Sequence, residues 1–128
     1  DTATLTLGPV APVNDAPIAQ YDVNSVTEDT PLLVTAANGL IQSGLAASGI
    51  DSDVDLDTLN ITAATVDTNG DGVAENLTID TPTALVDSSN NPIGELTINS
   101  DGSYSFTPAA NYAGAIPVVT YTVSVRPR

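Results

Sequence analysis

The chain contains no cysteine, lysine, histidine, methionine or tryptophan, and only two of its 128 residues are basic. Each absence excludes something. Without cysteine there is no disulfide framework. Without histidine, lysine or cysteine, the roles of general base and nucleophile fall to carboxylates and hydroxyls alone. A glycosidase-like carboxylate pair is the one enzymatic reading left. The acidic residues, however, cluster in turn-like segments, so a non-catalytic protein is expected. Both basic residues, Arg126 and Arg128, stand at the extreme C-terminus, against 16 acidic residues and a formal charge of -14. Nucleic-acid binding, which needs phosphate-neutralising cations, is excluded, and an anionic membrane surface would repel the chain. No apolar run approaches the roughly 20 residues of a membrane span. No signal peptide is recognisable, since Asp1-Thr-Ala-Thr-Leu5 already reads as strand. High charge with few aromatics also marks disordered chains. Here 41% of residues are hydrophobic and alternate with polar ones in short runs, which argues for a folded domain.

What is present is acid, in two runs. The first is Asp51-Ser-Asp53-Val-Asp55-Leu-Asp57; the second is Asp67-Thr-Asn69-Gly-Asp71-Gly72-Val73-Ala-Glu75. Aspartates at every second position lie on one face of an extended segment and repel one another unless a cation intervenes. Oxygen-only ligands suit a hard divalent ion, and calcium is the usual one. The second run matches the first half of an EF-hand loop, D-x-[DN]-x-[DN]-G. In that pattern Asp67, Asn69 and Asp71 ligate through side chains, Val73 through its carbonyl, and Glu75 from the ninth position. The twelfth position, normally a bidentate glutamate, is Thr78. With no helical pattern on either side, the segment reads as a calcium loop between strands; the bland reading is a solvated glycine-rich turn. The Asp51 to Asp57 ladder has its own bland reading, a polar turn before a strand. Calcium abundance outside cells points to an extracellular location.

Period-2 patterns separated by turn residues recur along the chain. Ala3, Leu5 and Leu7 alternate with threonines. A connector with prolines at 9, 12 and 17 follows. Tyr21 to Val26 and Pro31 to Thr35 read as strand pieces around a kink at Glu28-Asp29. The stretch from Ala36 to Ile50 fits either a short helical turn or an irregular strand. Further strands are expected around Leu59, Ile61 and Ala63, around Leu77 and Ile79, and around Leu96 and Ile98. Asn99-Ser-Asp101-Gly102-Ser103 predicts a hairpin turn, because Asp-Gly supplies positive-φ positions. Tyr104 and Phe106 then share a face up to Pro108, and the last strand spans Val118 to Val125. About seven short strands at this spacing predict an all-β fold, an antiparallel Greek-key β-sandwich.

Several of these pieces together resemble a known family. Val13-Asn14-Asp15-Ala16-Pro17 and Thr27-Glu28-Asp29-Thr30-Pro31 are followed by Asp51-x-Asp53-x-Asp55-x-Asp57-Thr-Leu59 and Gly94-Glu-Leu-Thr-Ile98. Asp101-Gly-Ser-Tyr-Ser-Phe-Thr-Pro108-Ala-Ala-Asn-Tyr112-Ala-Gly114 and Thr120-Tyr-Thr-Val-Ser124 complete the order. The set resembles the cadherin-like, Ig-like tandem repeats of large bacterial surface adhesins, including those with RTX-type C-termini. The resemblance implies calcium at the junction of consecutive domains, with Asn14, Asp15, Glu28, Asp51 and Asp53 as ligands. Where such repeats have glycine between the later aspartates this chain has Leu56, which puts Asp55 and Asp57 in doubt. It also implies that residues 1–7 are the last strand of a preceding repeat. Residues 8–17 would then be the linker, 18–125 the sandwich, and 126–128 a tail or tag.

The function expected on this basis is a calcium-stiffened spacer repeat of a bacterial cell-surface adhesin. Its partners would be neighbouring repeats or copies of itself. The domain would lack its own last strand, and residues 2 to 7 of a neighbouring copy would fill the open sheet edge. That makes a strand-exchanging extracellular filament one alternative. A carbohydrate-binding adhesin module is another. With only Tyr21, Tyr104, Phe106, Tyr112 and Tyr121 as aromatics, most of them expected in the core, it is the weaker of the two.

Overall fold

The computed structural model describes residues 2–7, 16–20, 24–42, 51–52 and 58–126. Seven strands run through them: β1 (Leu32–Val34), β2 (Thr58–Val66), β3 (Glu75–Leu77), β4 (Thr83–Val86), β5 (Pro92–Ile98), β6 (Tyr104–Pro108) and β7 (Thr120–Arg126). Every pairing is antiparallel. They form two sheets, a four-stranded one in the order β1-β6-β5-β4 and a three-stranded one in the order β3-β2-β7. The only helix among the described residues is a single 3₁₀ turn, Ala36–Asn38, so the ambiguous stretch begins as a helical turn. Residues 43–50 lie outside the described residues. Among the described residues no helix is long and apolar enough to cross a membrane.

Alternation builds the core. Ile93, Leu96, Ile98 and Phe106 of the wide sheet face Ile61, Ala64, Val66 and Leu77 of the narrow one, and Leu85 closes the end. Ile61, Leu85 and Val66 are the largest side chains sealed from solvent. Burying each aliphatic side chain of this size is worth about 1.5–3 kcal/mol before the entropy of ordering is counted.

Three local features differ from the sequence pattern. In β2 the buried partner of Ile61 is Ala64, and Ala63 is exposed. The β2–β7 register shifts between Ile61 and Ala63, and the extra residue swaps the faces beyond it. Ile79 packs half-buried against the core from the turn after β3 rather than from a strand. β4 had no counterpart in the sequence reading; it is four residues long, and only Leu85 is buried in it.

The predicted hairpin is present between β5 and β6. Gly102 adopts φ 89°, and Asn99 N–H donates to Ser103 O at 2.9 Å. Ser103 N–H and Oγ donate to the Asp101 carboxylate. The Glu28-Asp29 kink is a turn with Asp29 at φ 58°. Its Oδ1 accepts from Asn111 N–H at 2.8 Å, which ties the turn to the loop after β6. In that loop Tyr112 packs half-buried against the core and donates to Ala115 O.

Candidate metal centre

The second acidic run forms the loop that joins β2 to β3. β2 ends at Val66 and β3 begins at Glu75, so strands flank the DxNxDG pattern on both sides. Within it, carboxylates accept backbone N–H groups in succession. Asp67 Oδ1 accepts from Asn69 N–H at 3.2 Å and Gly70 N–H at 2.7 Å, and its Oδ2 accepts from Gly72 N–H at 2.8 Å. Asn69 Oδ1 accepts from Asp71 N–H at 3.0 Å, and Asp71 Oδ1 from Val73 N–H at 2.8 Å. Such side-chain-to-backbone bonds let Asp and Asn organise a turn. Partial desolvation works against the Asp67 charge, but the converging amides of Gly72, Gly70, Asn69 and Asp71 outweigh it. Its carboxyl therefore sits below the usual range.

Two glycines shape the loop. Gly70 and Gly72 have φ 76° and 85°, a region that costs other residues roughly 1–2 kcal/mol. At Gly70 a side chain would also collide with backbone, since an added Cβ would lie 2.3 Å from Ser88 N. The loop is thereby seated on the β4–β5 turn, and Val86 N–H reaches across to Thr68 O at 2.9 Å. Asp87 anchors that turn by accepting from Asn91 and Ser89 N–H, which lowers its own proton affinity.

Glu75 comes back toward Asp67 because the strands pair in register, Val66 opposite Glu75. Its Oε2 accepts from Thr68 N–H at 2.7 Å and Thr68 Oγ1 at 2.8 Å. Carboxylate oxygens of Asp67, Asp71 and Glu75 all lie within 4.8 Å of one another. Among the described residues this is the only group of three or more metal-ligating side chains so placed. Asp71 Oδ2 and Glu75 Oε1 accept no hydrogen bond among the described residues. An all-oxygen set with unpaired carboxylate atoms and no ammonium or guanidinium nearby fits a hard divalent cation. Val73 is exposed beside it, and Asn69 spends its side-chain oxygen on shaping the loop.

The residues assigned to the domain junction are distributed differently. Asn14, Asp15 and Asp53, like Asp55 and Asp57, lie outside the described residues. Glu28 stands exposed in its turn. Asp51 is 5% exposed, the one buried charged residue among those described. Its Oδ1 accepts from Gln20 N–H at 2.7 Å, and Tyr121 Oη lies 3.3 Å from Oδ2. The reciprocal bridge Ile18 to Ser52 and the bond from Asp51 N–H to Ile41 O fix the backbone around it. Burial pushes the Asp51 carboxyl above its usual range, opposed by the bonds from Gln20 and Tyr121. Tyr121, which also donates to Gln20 O, stands beside Asp51 without having been expected there. Its place in the last strand had pointed only to the core.

The bacterial cadherin-like domain model matches residues 14–126. No curated protein matches the chain, and no solved structure does.

Proposed function

The chain belongs to the bacterial cadherin-like domain family, and on that premise we propose that it is an extracellular spacer repeat stiffened by calcium. Domains of this family are typically extracellular, non-catalytic adhesion modules that bind calcium, which supports the reading at the level of class. The observation that carries it for this chain is the convergence of Asp67, Asp71 and Glu75 within 4.8 Å. Val73 O and the second lone pair of Asn69 Oδ1, beside the one that accepts from Asp71 N–H, complete the ligand set on this reading. A bound ion would supply the positive charge that no side chain in the body of the chain provides. The chain's own part is preorganisation: backbone amides hold Asp67 ionised, Thr68 holds Glu75, and the β4–β5 turn supports the loop from beneath. On the same reading Asn14, Asp15, Glu28, Asp51 and Asp53 form a second set at the junction with a preceding domain, so that calcium limits bending between repeats. The adhesin context, RTX-type or other, belongs to this proposal.

Extracellular modules bind calcium with dissociation constants of roughly 0.1–1 mM. At about 1 mM calcium, a site of about 0.1 mM adds about 1.4 kcal/mol of stability. For a domain of this size that raises Tm by about 5 °C. Thermal unfolding in chelator, in millimolar calcium and in millimolar magnesium tests the reading. Calcium should raise Tm and magnesium should not. Asp71→Asn keeps the oxygen that accepts from Val73 N–H but removes a charge. It should melt like the parent in chelator and lose much of the calcium increment. An unchanged melting curve on adding calcium would reduce the loop to a solvated turn.

A further inference from the structure

Among the described residues the two sheets differ in width. Four strands face three, and among the described residues β7 pairs with β2 alone, leaving its other edge open along Thr122–Val125. Where β7 begins, at Thr120 and Tyr121, lies a groove of about 700 Å³, floored by the buried Leu96, Ile98 and Phe106 and walled by the more exposed Leu32, Val118 and Val119. None of the described residues lining it is charged.

Residues 2–7, Thr-Ala-Thr-Leu-Thr-Leu, are the counterpart. They belong to no strand and make no hydrogen bond among the described residues, and Leu5 and Leu7 are 81% and 80% exposed. We propose that residues 2–7 of a second copy of this chain add to the open edge of β7, as a fourth strand of the narrow sheet. Ala3, Leu5 and Leu7 then point into the groove, while Thr2, Thr4 and Thr6 point to solvent with Thr122 and Ser124.

Three considerations select this occupant. Copies of -14 charge repel over most of their surface, and residues 2–7 carry no charge to add to that repulsion. Six residues in a strand span about 20 Å, close to the length of the seven-residue β7. The new strand would continue an existing sheet, satisfying edge N–H and C=O groups that otherwise invite uncontrolled pairing. Because donor and acceptor are different surfaces, repetition gives head-to-tail assembly, unless two chains exchange strands reciprocally.

The absence of cysteine makes the test clean. Chains carrying Thr122→Cys are mixed with chains carrying Thr2→Cys, Thr4→Cys or Thr6→Cys, in chelator so that the metal proposal has no bearing on the result. Cross-strand neighbours meet the geometry of a disulfide. The best of the three should crosslink at least tenfold faster to Thr122→Cys than to Ser89→Cys, a control on the distant β4–β5 turn. Adding Leu5→Asp and Leu7→Asp to the donor should remove that advantage. These two side chains are exposed in their own chain, so the variant should fold normally. Light scattering on the unmodified chain should show association that strengthens with salt as like-charge repulsion is screened. Equal crosslinking to positions 122 and 89, indifference to the leucine changes, or a strict monomer at millimolar concentration would each overturn the proposal.

Discussion

Asp67 and Asp51 are the same residue placed in opposite circumstances. Asp67 stands in a partly open loop, surrounded by backbone N–H groups that stabilise its charge. Asp51 is enclosed, with one backbone N–H and the Tyr121 hydroxyl for partners, and its charge is disfavoured by burial. A chain without cations in its body has two ways to host carboxylates. It can wrap them in amides, or bury them where they tend toward the neutral form. The first gives a rigid loop that is ready for an ion. The second leaves a strained charge that a nearby cation would relieve. These are different debts to a metal, and they separate experimentally.

The largest effect should come from Gly70, the point where the amide-wrapped loop rests on the β4–β5 turn. Gly70→Ala combines positive φ with a backbone collision and should cost about 2–4 kcal/mol. Gly72→Ala carries the same positive φ but meets nothing within 4 Å, and should cost only about 1–2 kcal/mol. Urea unfolding of the two variants side by side measures the difference. Equal losses would mean that the seat on Ser88 does not support the loop.

At the buried site, Asp51→Ala leaves the Gln20 N–H without its acceptor, while the Tyr121 hydroxyl keeps Gln20 O, and should cost about 1–3 kcal/mol. Asp51→Asn keeps an oxygen for Gln20 and removes the charge. In chelator at neutral pH it should melt at or above the parent. A large loss on Asp51→Asn would show that the ionised form is the favoured one, against the effect of burial.

The smallest effect is the pH response, and the two environments give it opposite signs. Asp51 has a raised folded-state value. Its contribution to stability is present below the ordinary 3.8 and is lost as pH rises through the folded value. Asp87 and Asp101 have lowered values, set chiefly by the Asn91 N–H and the Ser103 hydroxyl. Their contribution is present above 3.8 and is lost as pH falls through the folded values. In melting curves taken in chelator from pH 6 to pH 2, Asp87→Asn should flatten the acid side, and Asp51→Asn should remove the opposing slope. A parallel shift of the whole profile by either variant would argue against the assigned environment.

Most of the fold was legible because strand alternation and turn chemistry are local. Asp101-Gly102 announced its hairpin, and Tyr104 and Phe106 announced β6. β4 was missed because four residues with a single buried side chain carry almost no period. Ala63 was misplaced because a bulge, which shifts the phase of the pattern, is decided by pairing with β7 and leaves no mark in β2 itself. The acidic loop was legible for the same reason as the hairpin. Its capping bonds link residues two to five apart, so the pattern Asp67-x-Asn69-x-Asp71-Gly72 contains its own geometry.

Sequence by itself thus determined the class of fold, the lack of cationic or thiol chemistry, and the loop able to gather oxygen ligands. All three depend on composition or on contacts between near neighbours. Tertiary structure alone decided that Asp51 is buried against Tyr121 and that the β2–β7 register shifts beyond Ile61. Asp51 and Tyr121 are 70 residues apart, and the shift arises only where β2 meets β7. Such facts depend on which strands find each other, and the pairing is settled by the packing of the whole core rather than by any one segment.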